Sequence, residues 1–315
     1  MLNQPKTDES RWTILKILKW TTSYFKSLNI GEPRASAEII LAYALKLTRI
    51  DLYLRYDQPL DKTELSLFKT LVKRRANHEP VAYIVGSREF WSLDFEVTPD
   101  VLIPRPETEC LVEAALALLP ENRNDPAPCL LELGTGSGAI VISLATERPG
   151  CRFFAVDKSI RAVQLARQNA GRHLVDGIIH FCCCSWFEAL NSERWLYDII
   201  VSNPPYIPTE TVGGLQPDIV AYEPHAALDG GKDGLFSIRH IITHAHRYMI
   251  CGGWLLLEIG HDQRIDTGRI IDETGAYDQV RYIQDYSGYD RIVQMRKKGL
   301  MTHMAEKNLD DQNVI

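Results

Sequence analysis

Leu130-Leu131-Glu132-Leu133-Gly134-Thr135-Gly136-Ser137-Gly138 is a short apolar run that ends in three glycines, each one residue apart. Its length and composition are those of a buried strand. The glycines let the backbone turn tightly and approach a ligand closely. Ala139-Ile140-Val141-Ile142-Ser143-Leu144-Ala145 comes next and reads as a helix whose N-terminus faces the loop. Strand, glycine loop and helix in that order open the nucleotide-binding half of a doubly wound α/β sheet. The next strand, residues 151–156, ends at Asp157, an acidic residue about 20 positions on, where such folds hold a ribose diol. Asp157 is also placed to cap a helix starting near Ser159.

Dinucleotide sites share this construction, so the loop by itself leaves a nicotinamide cofactor open. Two details favour S-adenosylmethionine. The glycines lack the wider final gap of the dinucleotide fingerprint, and no Lys-Ser/Thr pair comes after them as in a phosphate loop. The candidate cofactor residues are Gly134, Thr135, Gly136, Ser137, Gly138 and Asp157.

A second signal lies downstream. The apolar run Tyr197-Asp198-Ile199-Ile200-Val201-Ser202 ends in Asn203-Pro204-Pro205-Tyr206. A turn after a strand would use the same residue types. The tetrad also has the groups needed to hold a planar amide or amine. Such a nitrogen is a weak nucleophile because its lone pair is delocalised, as in the peptide bond. Aiming that lone pair at an electrophile takes acceptors for both N–H groups. Asn203 offers a side-chain oxygen, Pro204 a carbonyl on a backbone of fixed φ, and neither proline donates a competing N–H. Tyr206 adds a flat face. A carboxamide does not titrate, so Asn203 is a positioning group rather than a base. Glycine loop and tetrad together point to methyl transfer onto nitrogen, in which alignment alone supplies about 7–11 kcal/mol of the barrier.

The chain resembles the HemK/PrmC family, the glutamine N5-methyltransferases of peptide-chain release factors, from about Ser36 to Arg296. The likeness is carried by Arg88-Glu89-Phe90-Trp91, Leu102-Ile103-Pro104-Arg105-Pro106-Glu107-Thr108-Glu109 and Ser202-Asn203-Pro204-Pro205-Tyr206-Ile207. Tyr222-Glu223-Pro224, Leu228-Asp229-Gly230-Gly231-Lys232-Asp233-Gly234-Leu235 and Leu255-Leu256-Leu257-Glu258-Ile259-Gly260 add to it. The tetrad alone also suits nucleic-acid amine methyltransferases; the Ile-Pro-Arg-Pro-Glu-Thr stretch narrows it to the glutamine enzymes.

The resemblance implies a class I S-adenosylmethionine-dependent methyltransferase, α/β, with a Rossmann-like seven-stranded sheet and an N-terminal helical bundle. It implies that Gly134 to Gly138 and Asp157 hold S-adenosylmethionine, with Trp186 beside the adenine and Asn203 near the methyl donor. It makes Asn203, Pro204, Pro205 and Tyr206 the substrate glutamine's site, with Asn203, Pro204 and Tyr206 the candidate catalytic residues. Arg105, Pro106, Glu107 and Thr108 would wall the donor site. The implied protein partners are class 1 release factors, methylated in their Gly-Gly-Gln motif. Two positions depart from the family pattern: Glu132 replaces the usual Asp, and Ser185 stands where many relatives are acidic. An uncharged acceptor at Ser185 implies weaker donor binding.

Composition frames the rest. At 315 residues and 45% apolar, the chain can bury two cores. The expected order is a helical bundle over 1–80, a β-hairpin linker over 81–105, a methyltransferase domain over 106–297 and a disordered tail over 298–315. The bundle is expected to bury stripes such as Trp12, Leu15, Leu18 and Ile39, Ile40, Tyr43, Leu47, with a capping box at Asp61 and Glu64 and a solvated Arg74-Arg75 pair. Val81, Tyr83 and Val85 are expected in a strand, and residues 280–283 and 291–295 in a closing antiparallel hairpin.

A net charge of −6 argues against broad nucleic-acid affinity. No apolar run reaches membrane-spanning length and no secretory signal opens the chain, so a cytoplasmic monomer is expected. Cys182-Cys183-Cys184 alternate faces on a strand, which suits small apolar residues better than one metal site. His225, His240, His244 and His246 lack a metalloprotease pattern and are read as solvated or satisfied.

Overall fold

The computed structural model describes residues 12–120, 126–194 and 196–299; from residue 300 the expected tail lies outside the described residues. The chain divides into two compact units. The first gathers the described residues up to Arg88 with Glu96–Pro99 and Gly214–Pro224. The second gathers Glu89–Phe95, Asp100–Gly213 and the described residues from His225 onward.

The first unit is helical, with helices Ile14–Ser27, Pro33–Leu45, Arg49–Leu54, Lys62–Ala76 and Val81–Val85. Asp61 and Glu64 form the expected capping box, each side chain taking the other's backbone N–H. The buried stripe of the first helix is Ile14, Ile17, Thr21 and Phe25, whereas Trp12 and Leu15 are exposed. In the second helix Ile40 and Leu41 are buried and Tyr43 is exposed. The expected stripes are thus right in part: Ile40 is buried and Leu18 and Leu47 pack against the core, while Trp12, Leu15 and Tyr43 are exposed.

Two further expectations are corrected. Val81–Val85 is a helical turn and not a strand: Pro80 supplies its N-cap and Gly86, at φ +76°, ends it. The hairpin is confined to Ser87–Phe90 (β1) and Leu93–Glu96 (β2). Arg75 is buried rather than solvated, donating to the Glu79 carbonyl at 3.0 Å and lying 3.5 Å from Asp218.

The second unit is built on a seven-stranded sheet: Cys129–Leu133 (β3), Arg152–Asp157 (β4), Ile179–Cys183 (β5), Tyr197–Ser202 (β6), Met249–Glu258 (β7), Tyr277–Gln284 (β8) and Asp290–Lys297 (β9). The strand order is β5-β4-β3-β6-β7-β9-β8. Pairs from β5 to β7 are parallel, and β9 runs antiparallel to β7 and to β8, with which it forms the expected closing hairpin.

β3 shows why the sheet takes helices on both faces. Every residue of it is buried. Leu130 packs with Leu111 and Val141 of helices Glu109–Leu116 and Ala139–Glu147, while Leu131 and Leu133 pack with Ile238 and Ile241 of helix Phe236–Ala245. Register then fixes the working edge. Leu133 lies opposite Val156 on one side and Ser202 on the other, and Ser202 lies opposite Leu257. The strands therefore end in line, and the loops that leave them gather at the carboxyl edge, where open α/β sheets bind ligands. On β5, Cys182 is half-buried and Cys183 exposed, in the expected alternation.

Candidate active site

The glycine loop leaves β3 with Gly134, Gly136 and Gly138 all at positive φ. At Gly138, φ +83°, a side chain would be strained, and its Cβ would crowd Ile142 Cδ1 at 2.7 Å and Ala166 Cβ at 3.1 Å. That closeness seats the helix Ala139–Glu147 directly behind the loop. Asp157 ties the loop to the next crossover. One carboxylate oxygen accepts from Gly136 N and the other from Ser159 N, both at 2.9 Å. Ser159 itself caps helix Ile160–Arg172. Asn169 holds the loop from below, its Nδ2 donating to Ser137 O at 2.9 Å.

Trp186 belongs to the same edge. Its ring atom Cζ3 is 3.9 Å from where a Gly134 Cβ would stand. Gly134, Gly136, Asp157 and Trp186 thus adjoin. Around Gly136 the space is open: a Cβ there would meet nothing within 4 Å. Trp186 also lines a cavity of about 420 Å³ with Ser185, Phe236, His240, His244 and Tyr248. His240 and His244 stack at 4.4 Å between ring centroids. Burial, and then His244, lowers the His240 pKa.

Glu132 is buried, and the Thr135 hydroxyl donates to it at 2.5 Å. Burial pushes its pKa up to about 8; the Thr135 bond opposes that shift and the neighbouring Asp157 charge adds to it.

The tetrad comes directly after β6. Ser202, the strand's last residue, donates to Leu133 O at 2.7 Å and locks the start of Asn203-Pro204-Pro205-Tyr206 to the glycine-loop strand. Asn203 Nδ2 donates to Thr108 Oγ1 at 3.1 Å. Thr108 in turn donates to Glu258 Oε2 at 2.7 Å, and Tyr206 OH donates to Glu258 Oε1 at 3.2 Å. Glu258 ends β7 and is buried. Burial raises its pKa above the ordinary carboxylate value, and the Thr108 bond, the Arg291 charge and the Tyr206 bond offset only part of that rise. Burial, and then Glu258, raises the Tyr206 pKa in turn, so the phenol keeps its proton.

The main chain of Tyr206 is gripped from three sides. Gln263 Nε2 donates to Tyr206 O at 2.9 Å. Ile207 N donates to Leu228 O, and Gly230 N returns a bond to Ile207 O at 2.8 Å. A Cβ at Gly230 would stand 2.8 Å from Tyr206 Cα. The glycine-rich stretch 228–235 is therefore the buttress of the tetrad.

The sequence singles out Thr108 within its arginine-proline stretch and carries Glu258 and Gly230 within motifs, but assigns no job to Glu258, Gly230 or Gln263. The signal available for Glu258 is a carboxylate ending the apolar run Leu255-Leu256-Leu257, a placement that demands a partner.

Fold, strand order and loop define a class I methyltransferase. Residues 16–86 match the PrmC N-terminal domain and residues 125–245 a methyltransferase domain. A release factor glutamine methyltransferase of Geobacter sulfurreducens is 43% identical over 90% of this chain and 96% of its own length. The protein of the same name from Escherichia coli K12 is 40% identical over 87% of this chain and 96% of its own. The chain belongs to the release factor glutamine methyltransferase family. In fold it also resembles the hMettl16 catalytic domain solved with the MAT2A 3′UTR hairpin 6, at a TM-score of 0.52 and 15% identity, over 72% of this chain and 81% of that one. No helix among the described residues is long and apolar enough to cross a membrane.

Proposed function

We propose that this enzyme methylates the side-chain N5 of the glutamine in the Gly-Gly-Gln motif of class 1 release factors, with S-adenosylmethionine as donor. The observation that carries the reading is the tetrad at the sheet's carboxyl edge, its Asn203 amide oriented by Thr108 and its Tyr206 main chain clamped by Gln263.

The donor supplies an electrophilic methyl group. The chain's own residues fit such a molecule. Gly136 leaves open space beside the loop, Asp157 stands at the end of β4, and Trp186 gives a planar wall against Gly134. Gly134 to Gly138, Asp157 and Trp186 would hold it.

In this reading Asn203 Oδ1 and the Pro204 carbonyl accept the two N–H groups of the substrate amide. That leaves the nitrogen lone pair free to point away from them. Both acceptors gain strength as the nitrogen becomes positive, so they favour the transition state over bound substrate. The Tyr206 ring supports the flat amide. The proton departs to water, since the carboxyl of Glu258 is already occupied by two hydroxyls.

The test is mass spectrometry of a purified release factor incubated with the enzyme and S-adenosylmethionine. One added methyl on the Gly-Gly-Gln glutamine is the expected result. An unmodified glutamine beside a bound donor would reject this substrate.

A further inference from the structure

Asn203 is useful only one way round. A carboxamide has an oxygen end and an NH₂ end of nearly equal size, and only the oxygen end can accept from a substrate amide. Nothing in the covalent structure of Asn203 selects between them. The selection comes from two residues behind it.

Glu258 carries two oxygens, and each faces a hydroxyl: Thr108 at 2.7 Å and Tyr206 at 3.2 Å. Both hydroxyls donate to these oxygens, Thr108 to Oε2 and Tyr206 to Oε1. A hydroxyl has one proton. Once Thr108 has committed its proton to Glu258, its oxygen can only accept in turn, and the group facing it at 3.1 Å is Asn203. Asn203 must then present Nδ2 to Thr108, which turns Oδ1 the other way. Arg291, on β9 beside Glu258 and paired with Asp285 at 3.1 Å, sets its positive charge against the burial that raises the Glu258 pKa. Thr108 and Glu258 are 5% and 1% exposed, so water cannot substitute for either link.

We infer that Glu258, acting through Thr108, sets which end of the Asn203 carboxamide faces the substrate, and through the Tyr206 hydroxyl holds the other end of the tetrad. Glu258 and Thr108 are positioning residues for methyl transfer; neither touches the reacting atoms. This rests on the proposed role of Asn203 as acceptor for a substrate amide.

The relay has a direction, and an isosteric change can reverse it. In Glu258→Gln the new NH₂ can donate to Thr108, freeing the Thr108 proton to point at Asn203 and bringing the wrong end of its amide to the substrate. Thr108→Val keeps the shape and deletes the link; Thr108→Ser keeps the link. With a purified release factor and S-adenosylmethionine, kcat is expected to fall about 100-fold in Glu258→Gln and Thr108→Val. KM and donor Kd should stay within about threefold of wild type, and Thr108→Ser should keep kcat within about fivefold, as expected for loss of orientation rather than of binding.

A second measurement is independent of substrate. The Asn203 side-chain NH₂ resonances, assigned through Asn203→Asp, should show slow hydrogen exchange in wild type and Thr108→Ser and fast exchange in Thr108→Val and Glu258→Gln. Wild-type protein that leaves the release factor unmodified would reject the proposed substrate, and the exchange data would still decide the relay. Unchanged exchange in Thr108→Val, or a kcat for Thr108→Val equal to wild type, would overturn it. A fall in Thr108→Ser as deep as in Thr108→Val would also do so.

Discussion

Gln263 reaches across the turn after β7 and bonds the main-chain oxygen of Tyr206, 57 residues earlier in the chain. The same Nε2 approaches Gly234 O at 3.3 Å, and Oε1 accepts from Gly260 N at 2.9 Å. One side chain thus satisfies three backbone groups around the tetrad.

Gln263→Leu keeps the volume and removes all three bonds. Unpaired buried backbone groups cost about 1–3 kcal/mol, so thermal unfolding should shift downward measurably. The Tyr206 main chain would also lose one of its holds, and a displacement near 1 Å in such a site costs up to about 100-fold in rate. A fall of about tenfold in kcat/KM is expected in initial-rate assays, with donor affinity by calorimetry unchanged because the glycine loop is untouched.

Gly230→Ala tests the buttress from the other side. The new methyl would lie 2.6 Å from Gly234 O and 2.8 Å from Tyr206 Cα, both backbone atoms that cannot swing away. Overpacking of this kind costs about 1–3 kcal/mol. The expected outcome is a folded but less stable protein whose turnover drops at least tenfold. Wild-type turnover in this variant would show that the 228–235 stretch does not govern the tetrad.

The contrast between tetrad and buttress explains how much is legible in the sequence. The glycine loop, Asp157 and the tetrad each lie within a few residues of a strand end, so a local pattern announces them and their common edge comes from parallel topology. Thr108 and Glu258 are 150 positions apart, and their bond exists only because β7 is inserted beside β6. No local pattern carries that. Arg75 escapes a local reading for the same reason: the Asp218 that faces it comes from a segment returning to the helical unit much later in the chain. Val81–Val85 is ambiguous in a different way, because five apolar residues fit one helical turn or one strand equally well and only Pro80 and Gly86 decide between them.

Glu132 makes stability depend on pH in one direction. Its folded pKa is near 8, against 4.5 for the free side chain. The folded state therefore holds a proton that the unfolded chain releases. The contribution is fully present below pH 4.5 and is lost as pH rises through 8. Glu132→Gln can still accept from Thr135 but has no proton to lose. The variant should match wild type near pH 4.5 and melt higher by on the order of 5 °C at pH 9. Equal melting temperatures at both pH values would show that Glu132 is not held neutral.

Glu38 works in the opposite sense, in the helical unit. It is buried and takes hydrogen bonds from Arg34 at 2.9 Å, Arg49 at 2.6 Å and the Tyr53 hydroxyl. Burial alone would raise its pKa. The Tyr53, Arg49 and Arg34 bonds outweigh that and hold it at about 2, below the ordinary 4.5. A depressed carboxyl pKa contributes stability above pH 4.5 and loses it as pH falls through 2. Both arginines are largely exposed, 71% and 56% in their side chains, so solvent screening cuts the full linkage value to about 2 kcal/mol. Glu38→Gln should cost about that much at pH 7, read by urea unfolding with hydrogen exchange on helix Pro33–Leu45. The gap between variant and wild type should then narrow steadily from pH 4.5 to pH 2, because acid removes from the wild type the same charge that the substitution removes. A gap that stays constant across that range would mean that Glu38 contributes through packing and not through its charge.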